Sequence, residues 1–250
     1  MEKKISSRVE QLLFLLKQND KLHLRDAAKF LQVSEMTIRR DLNNSAGKIS
    51  LLGGYLVDNA KQNYENNYFI AEHQNRNVAE KMHVGKLAAR LIKNGDVVFF
   101  DCGSTIPFIA SQIDNSINFT ALCCSLNTFV VLQDKPNCEL ILCGGNYSRH
   151  NSSFTPIHLT SEVDHICTTK AFISAAGVDL LQGVTCFNFN EAKLKTKAIS
   201  KTKQRILVFD HSKINQVHQS YIADLNQFDL LISDQPLPPE FGDNIPSLVY

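Results

Sequence analysis

The nine residues Ser34-Glu35-Met36-Thr37-Ile38-Arg39-Arg40-Asp41-Leu42 place two guanidinium groups side by side on a segment with helical periodicity. A guanidinium fork reaches a phosphate, or the O6/N7 edge of guanine, through paired hydrogen bonds, so the chemistry on offer is recognition of duplex DNA. At about 100° per residue, Ile38 and Leu42 fall on one side of the helix and Met36, Arg40 and Asn43 on the other. One side can pack while the other meets a partner. Ser34 has the short hydroxyl that caps a helix start. The candidate contact residues are therefore Ser34, Glu35, Met36, Thr37, Arg39 and Arg40. A small helical bundle whose arginines are merely solvated has the same periodicity and stays open at this level.

A second chemistry lies further along. Asp101-Cys102-Gly103-Ser104-Thr105 follows an apolar run and leads into Ile106-Pro107-Phe108-Ile109-Ala110. Small residues and two hydroxyls before a helix present N–H and O–H donors to an anion such as a phosphate. Alone, such a loop is equally an ordinary strand-to-helix turn. Three more segments follow apolar runs: Gly144-Gly145, the stretch through Gly177 and Asp179, and Asp210-His211-Ser212-Lys213. Brought together, Asp101, Gly103, Ser104, Thr105, Gly144, Gly145, Gly177, Asp179, Asp210 and Lys213 would offer a cation to a phosphate and carboxylates to hydroxyls, which suits a sugar phosphate.

These groups need two different scaffolds. For the first, Val9, Leu12, Leu13 and Leu16 mark one amphipathic helix and His23 to Leu31 a second, turning through Gln32-Val33 into Ser34. The pattern is a helix-turn-helix. Lys48-Ile49-Ser50-Leu51-Leu52-Gly53-Gly54-Tyr55-Leu56-Val57 then reads as a β-hairpin, because a two-residue turn requires positive φ that glycine tolerates. Its position is that of a wing, and Lys48 is placed to meet the sugar-phosphate backbone, although a solvated lysine fits equally. The polar, asparagine-rich residues 58–68 read as a linker and 69–93 as a helix with an apolar stripe. For the second scaffold, runs at 97–100, 119–124, 140–142, 171–173, 206–209 and 230–232 are continuously apolar, the habit of strands buried on both faces of a mostly parallel α/β sheet. Ligand sites in such sheets lie at the strands' carboxyl ends, where the four small-residue segments fall.

Charge divides the same way. Of 250 residues with net charge +1, residues 1–57 hold ten Lys/Arg against six Asp/Glu. The excess of positive charge sits with the helix-turn-helix. The run Leu12 to Leu16 is far too short to span a membrane, and no targeting segment is visible, so a soluble cytoplasmic protein is expected. Seven cysteines, mostly within apolar runs and without a Cys-x-x-Cys pair, read as reduced core thiols. His150, His158 and His165 are not at ligand spacing beside them, so no metal is expected.

From Arg8 to about Asp234 these features resemble the DeoR family of bacterial repressors. The carriers are Arg8, Leu12, Ser34, Thr37 and Ile38-Arg39-Arg40-Asp41-Leu42, then Asp101-Cys102-Gly103-Ser104-Thr105, Gly144-Gly145, Gly177-Val178-Asp179, Glu191 and Asp210-His211-Ser212-Lys213. The resemblance implies an N-terminal winged helix-turn-helix (1–57), a linker (58–68) and a Rossmann-like α/β effector domain (69–250) with a fold similar to ribose 5-phosphate isomerase. It adds Glu191 to the effector site. Segments 22–44, 51–55, 99–103 and 125–129 resemble most the branch answering to deoxyribose 5-phosphate, with operators of nucleoside and deoxynucleoside catabolism as its DNA. Cys123-Cys124 stands where many members carry Thr-Asn, so that pair supplies no candidate residue.

The resemblance thus implies a repressor without a cofactor, partnered by double-stranded operator DNA and a sugar phosphate. An isomerase is the alternative, with Glu191 as base and Lys213 steadying an enediolate. Gln182 stands where such an enzyme would offer a lysine, and an isomerase has no use for residues 1–57. A switch from 1:99 to 99:1 needs about 10⁴-fold differential affinity, or about 5.5 kcal/mol, more readily assembled from several sites in a homo-oligomer.

Overall fold

The computed structural model describes residues 2–18, 21–43, 48–58, 76–148, 151–158, 160–242 and 245–250. The amino end folds as α1 (Glu2–Gln18), β1 (Leu22–His23), α2 (Leu24–Leu31), α3 (Glu35–Asn43) and the hairpin β2 (Ile49–Leu52) and β3 (Tyr55–Asp58). Val9, Leu12, Leu16, Leu24, Ala27, Ile38, Leu42, Ile49 and Leu56 form its core. Each fully buried aliphatic side chain contributes about 1.5–3 kcal/mol, which offsets the weak propensity of such short helices. Ser34 caps α3 by accepting from the Thr37 amide at 3.2 Å. Gly53 and Gly54 turn the hairpin at φ +54° and +92°. Pairing of Leu22 and His23 with Leu56 and Tyr55 adds a third strand that the sequence pattern does not reveal.

The larger part is built on seven parallel strands in the order β15-β14-β12-β9-β4-β5-β6: β4 (Val97–Phe100), β5 (Phe119–Cys123), β6 (Cys138–Leu142), β9 (Thr168–Ser174), β12 (Thr202–Val208), β14 (Leu230–Ile232) and β15 (Ser247–Val249). Successive residues of a strand face opposite layers. Phe99 packs with α8 (Phe189–Ser200) and a small antiparallel sheet of β10 (Gly177–Asp179), β11 (Gly183–Cys186) and β13 (Ser220–Ala223). Val98 and Phe100 pack with α4 (Val78–Ala89), α5 (Ile106–Gln112) and α6 (Leu126–Leu132). Both faces are covered, which is why the strands read as unbroken apolar runs. Between β6 and β9 lie the hairpin β7 (Asn146–Ser148) and β8 (Ser153–Thr155) and the single turn α7 (Glu162–His165).

Two expectations are revised. The helix expected over 69–93 spans Val78–Ala89 among the described residues, because Asn77 takes a left-handed φ of +52° that a continuing helix excludes. Linker residues 59–68 lie outside the described residues, and Asp58 belongs to β3. All seven cysteines are free; five are buried, Cys138 is half-buried and Cys167 exposed. Burial pushes the Cys123 and Cys143 thiols up to about 12. Among the described residues no helix is long and apolar enough to cross a membrane.

Candidate functional site

The α3 surface sorts its residues by angle from Ile38. Met36 is 70% exposed, and Ser34 and Arg40 are also exposed. Thr37 shares a hydrogen bond with the Ser34 hydroxyl. Glu35 lies 3.7 Å from Arg25, and Lys48 is exposed at the foot of the hairpin. Arg39 differs from Arg40: its Nη1 is shielded from solvent with no hydrogen-bond partner, and burial holds its pKa below the ordinary arginine value. Asp41 is buried and accepts from Arg8 Nε at 2.6 Å and Nη2 at 3.0 Å, tying α3 to α1. The solvent-facing set is thus Ser34, Met36 and Arg40, with Thr37 and Glu35 at its margin.

At the carboxyl ends of β4 and β9 lies a cavity of about 310 Å³. Beneath its floor lies Asp101, wholly buried, which accepts from the Gly103 amide at 2.8 Å, from the Ser174 amide at 2.7 Å and from the Ser174 hydroxyl at 3.0 Å. Lys195 Nζ lies 2.8 Å from the same carboxylate and also donates to the Ser174 carbonyl at 2.8 Å. Burial works against the Lys195 charge, but the Asp101 carboxylate outweighs it and holds the ammonium above the ordinary lysine range. A Cβ on Gly103 would lie 1.7 Å from Ser174 Oγ, so the loop presses onto β9 only because this residue is glycine.

Around that floor the cavity is lined by Gly103, Ser104, Thr105, Glu191 and Lys213 from the expected set. Glu191 accepts from the Asn151 side chain. Asn188 caps α8, its side chain accepting from the amides of Asn190 and Glu191. Lys213 ends a 3₁₀ turn that Asp210 caps. Asp210 is buried off the lining; burial would raise its pKa, but Ser212, Lys213 and Asn77 together hold it below the usual carboxylate value. Apolar wall is supplied by Cys102, Ala175, Ala176, Cys186 and Phe187. The Cys186 thiol is pushed up to about 11 by burial and stays neutral.

Besides Asp101 and Asp210, four expected residues are not brought to the lining. Gly144 and Gly145 lead from β6 into β7, with Gly145 seated on the Thr155 carbonyl. Gly177 begins β10 against the Gln216 carbonyl. Asp179 accepts from the amides of Leu181 and Gln182, closing the β10–β11 turn. Conversely, Asn151, Ser174, Asn188 and Lys195 line the cavity without having been singled out. Lys195 had a signal, its i,i+4 spacing from Glu191, which sets both on one face of a helix. Asn151 had none.

A winged helix-turn-helix joined to a parallel-sheet domain with a ligand-sized cavity, apolar-walled and carrying a few polar groups, defines a ligand-responsive DNA-binding regulator. The chain belongs to the DeoR family: residues 8–61 match the DeoR-like helix-turn-helix domain and residues 76–235 the DeoR C-terminal sensor domain. It is 46% identical over 234 residues, 94% of this chain and 92% of the relative, to the deoxyribose operon repressor of Escherichia coli K12. The regulator GolR of Listeria innocua is 29% identical, with 92% and 91% covered. Ribose 5-phosphate isomerase A of Methanocaldococcus jannaschii is similar in structure at 16% identity and a TM-score of 0.42, over 55% of each chain. The protein is a DNA-binding transcriptional repressor.

Arg40→Ala is therefore expected to weaken operator binding by about 1 kcal/mol at matched salt. Arg39→Ala, losing a partly buried group, should change binding less and thermal stability more. Fluorescence anisotropy with a labelled duplex measures the first effect, and equal binding by Arg40→Ala and wild type would remove Arg40 from the contact surface. Affinity should fall steeply with salt in either background.

Proposed function

We propose that the repressor senses deoxyribose 5-phosphate in the cavity beneath Gly103–Thr105 and thereby releases operators of nucleoside and deoxynucleoside catabolism genes in the cytoplasm. The supporting observation is the cavity's division of labour. The Asp101–Lys195 pair is internally neutralised, leaving Lys213 with the Ser104 and Thr105 hydroxyls as donors to a phosphate. Glu191 and Asn151 share the lining and suit sugar hydroxyls, and Asn151 Oδ1 is buried without a hydrogen-bond partner. An uncompensated buried acceptor costs about 1–3 kcal/mol, which a sugar hydroxyl would recover. The apolar wall of Cys102 and Cys186 suits a sugar carbon that carries no hydroxyl. The relative named as the deoxyribose operon repressor supports the same choice. Division into a DNA-binding part (1–57), a linker (58–68) and an effector part (69–250), with assembly into a homo-oligomer, completes the reading.

Calorimetric titration against deoxyribose 5-phosphate, ribose 5-phosphate and free deoxyribose tests it. The first should bind tightest and free deoxyribose hardly at all. Equal binding of free deoxyribose would remove the phosphate from the reading. The purified protein should also leave a mixture of ribose 5-phosphate and ribulose 5-phosphate unchanged, as a repressor that only binds its effector would. Turnover lost in Glu191→Gln would restore the enzyme alternative.

A further inference from the structure

The wing does not stand free. Lys21, between α1 and β1, lies 2.8 Å from the Asp134 carboxylate, donates to the Val130 carbonyl at 3.1 Å and sits 4.9 Å from the Tyr55 ring centroid. Tyr55 packs against the cluster formed by α4, α5 and α6. The turn itself is in contact: a Cβ on Gly53 would fall 2.3 Å from Val131 Cγ2 and 2.9 Å from Pro107 Cβ, and one on Gly54 would lie 4.0 Å from Ser111 Cβ. Gly53 is thus required twice, for its positive φ and for this close approach.

Pro107 and Ser111 belong to α5, and α5 is entered directly from Gly103-Ser104-Thr105 at the effector cavity. Seven residues of helix span about 10 Å, so one short rigid element has the cavity loop at one end and the wing turn on its flank. A wing turn held against protein cannot also lie along a sugar-phosphate backbone. The contact is built for reversal. Lys21 and Asp134 retain 23% and 44% side-chain exposure, a range in which an ion pair adds little stability. Beside it a polar cavity of about 820 Å³, lined by His23, Arg25 and Tyr55 from one side and Lys86, Arg90 and Gln112 from the other, keeps the rest of the seam open.

We infer that the face formed by α5 and α6 is a docking surface for this chain's own wing, and that the docked arrangement is the DNA-released state. Operator and the α5–α6 face compete for the wing, and an effector that fixes the Gly103–Thr105 loop favours the docked form by holding α5 in place. By linkage, any loss of docking strengthens operator binding and weakens the effector's ability to release it.

The effector arm of the test rests on the proposed sugar phosphate, and the DNA arm does not. Lys21 and Asp134 lie outside both α3 and the effector cavity. Lys21→Glu and Asp134→Lys should each raise the deoxyribose 5-phosphate concentration for half-release of operator about three- to tenfold, while the doubly exchanged protein returns close to wild type. Singles that match wild type, or a double variant no nearer to it than the singles, would overturn the inference. Without sugar, carbodiimide labelling of Asp134 in the full chain is read by mass spectrometry with and without a duplex selected for tight binding. Labelling should rise about twofold when the duplex is added, as the Lys21 contact opens. Unchanged or reduced labelling would refute docking as the released state, whatever the effector proves to be.

Discussion

Asp101→Ala is expected to lower the stability of the sensor domain by about 3–5 kcal/mol, because it leaves the Lys195 ammonium buried without its ion-pair partner. Lys195 is only 3% exposed. The substitution also strips acceptors from the Gly103 amide and from both the amide and hydroxyl of Ser174. For a domain of this size the loss corresponds to a fall of about 6–20 °C in the sensor domain's melting transition. Asp101→Asn, which retains an acceptor, should cost less. Lys195→Met combined with Asp101→Asn should recover part of the loss, since a neutral pair removes the desolvation of both charges. A melting curve for Asp101→Ala within about a degree of wild type would show that the pair does not hold the floor of the cavity.

The same pair shows where sequence reading ends. The helix-turn-helix was legible because local rules decide it: a capping serine, apolar positions at helical spacing and a Gly-Gly turn. The parallel sheet was legible because strands covered on both faces leave continuous apolar runs, as in Val97-Val98-Phe99-Phe100. The strand β15 was not, since Ser247–Val249 is an edge strand of mixed exposure with only two apolar residues. β10 and β11 escaped for another reason. Gly177–Asp179 has the look of a strand-end ligand loop, but it pairs with Gly183–Thr185 across the short turn 180–182, in runs of three residues too brief to show an alternating pattern.

The site followed the same division. The Gly103–Thr105 loop, Glu191 and Lys213 were identified by type and by their place at strand ends or in a family motif, and all five residues line the cavity. Asp101 was identified as a ligand group, yet its lone pairs are taken up by Gly103, Ser174 and Lys195. Whether a carboxylate faces a ligand or supports the floor depends on which lysine folds over it. That fact lives in tertiary packing. Gly53 is the complementary case: its turn was legible, whereas the second demand upon it, contact with Val131 and Pro107, appears only when the two parts of the chain meet.

Lys213→Ala should separate effector sensing from DNA binding. Its side chain lines the cavity with Ser104 and Thr105, and losing one charge-assisted contact to the proposed phosphate costs about 1.5–3 kcal/mol, a fall of about 10- to 150-fold in effector affinity. Residues 1–57 are untouched, so operator affinity without effector should match wild type, and the variant should be released only at much higher deoxyribose 5-phosphate. Thr105→Ala should act in the same direction by a smaller amount, because a hydroxyl donor is lost where the cation remains. Since Lys213 also helps to hold the neighbouring Asp210 carboxylate charged, a melting curve must accompany the titration to separate lost contact from altered folding. The decisive measurement is DNA release followed by anisotropy, with free deoxyribose in parallel. Release of Lys213→Ala at the wild-type concentration would move the phosphate away from this strand end, and a normal melting curve beside that result would leave no structural excuse for it.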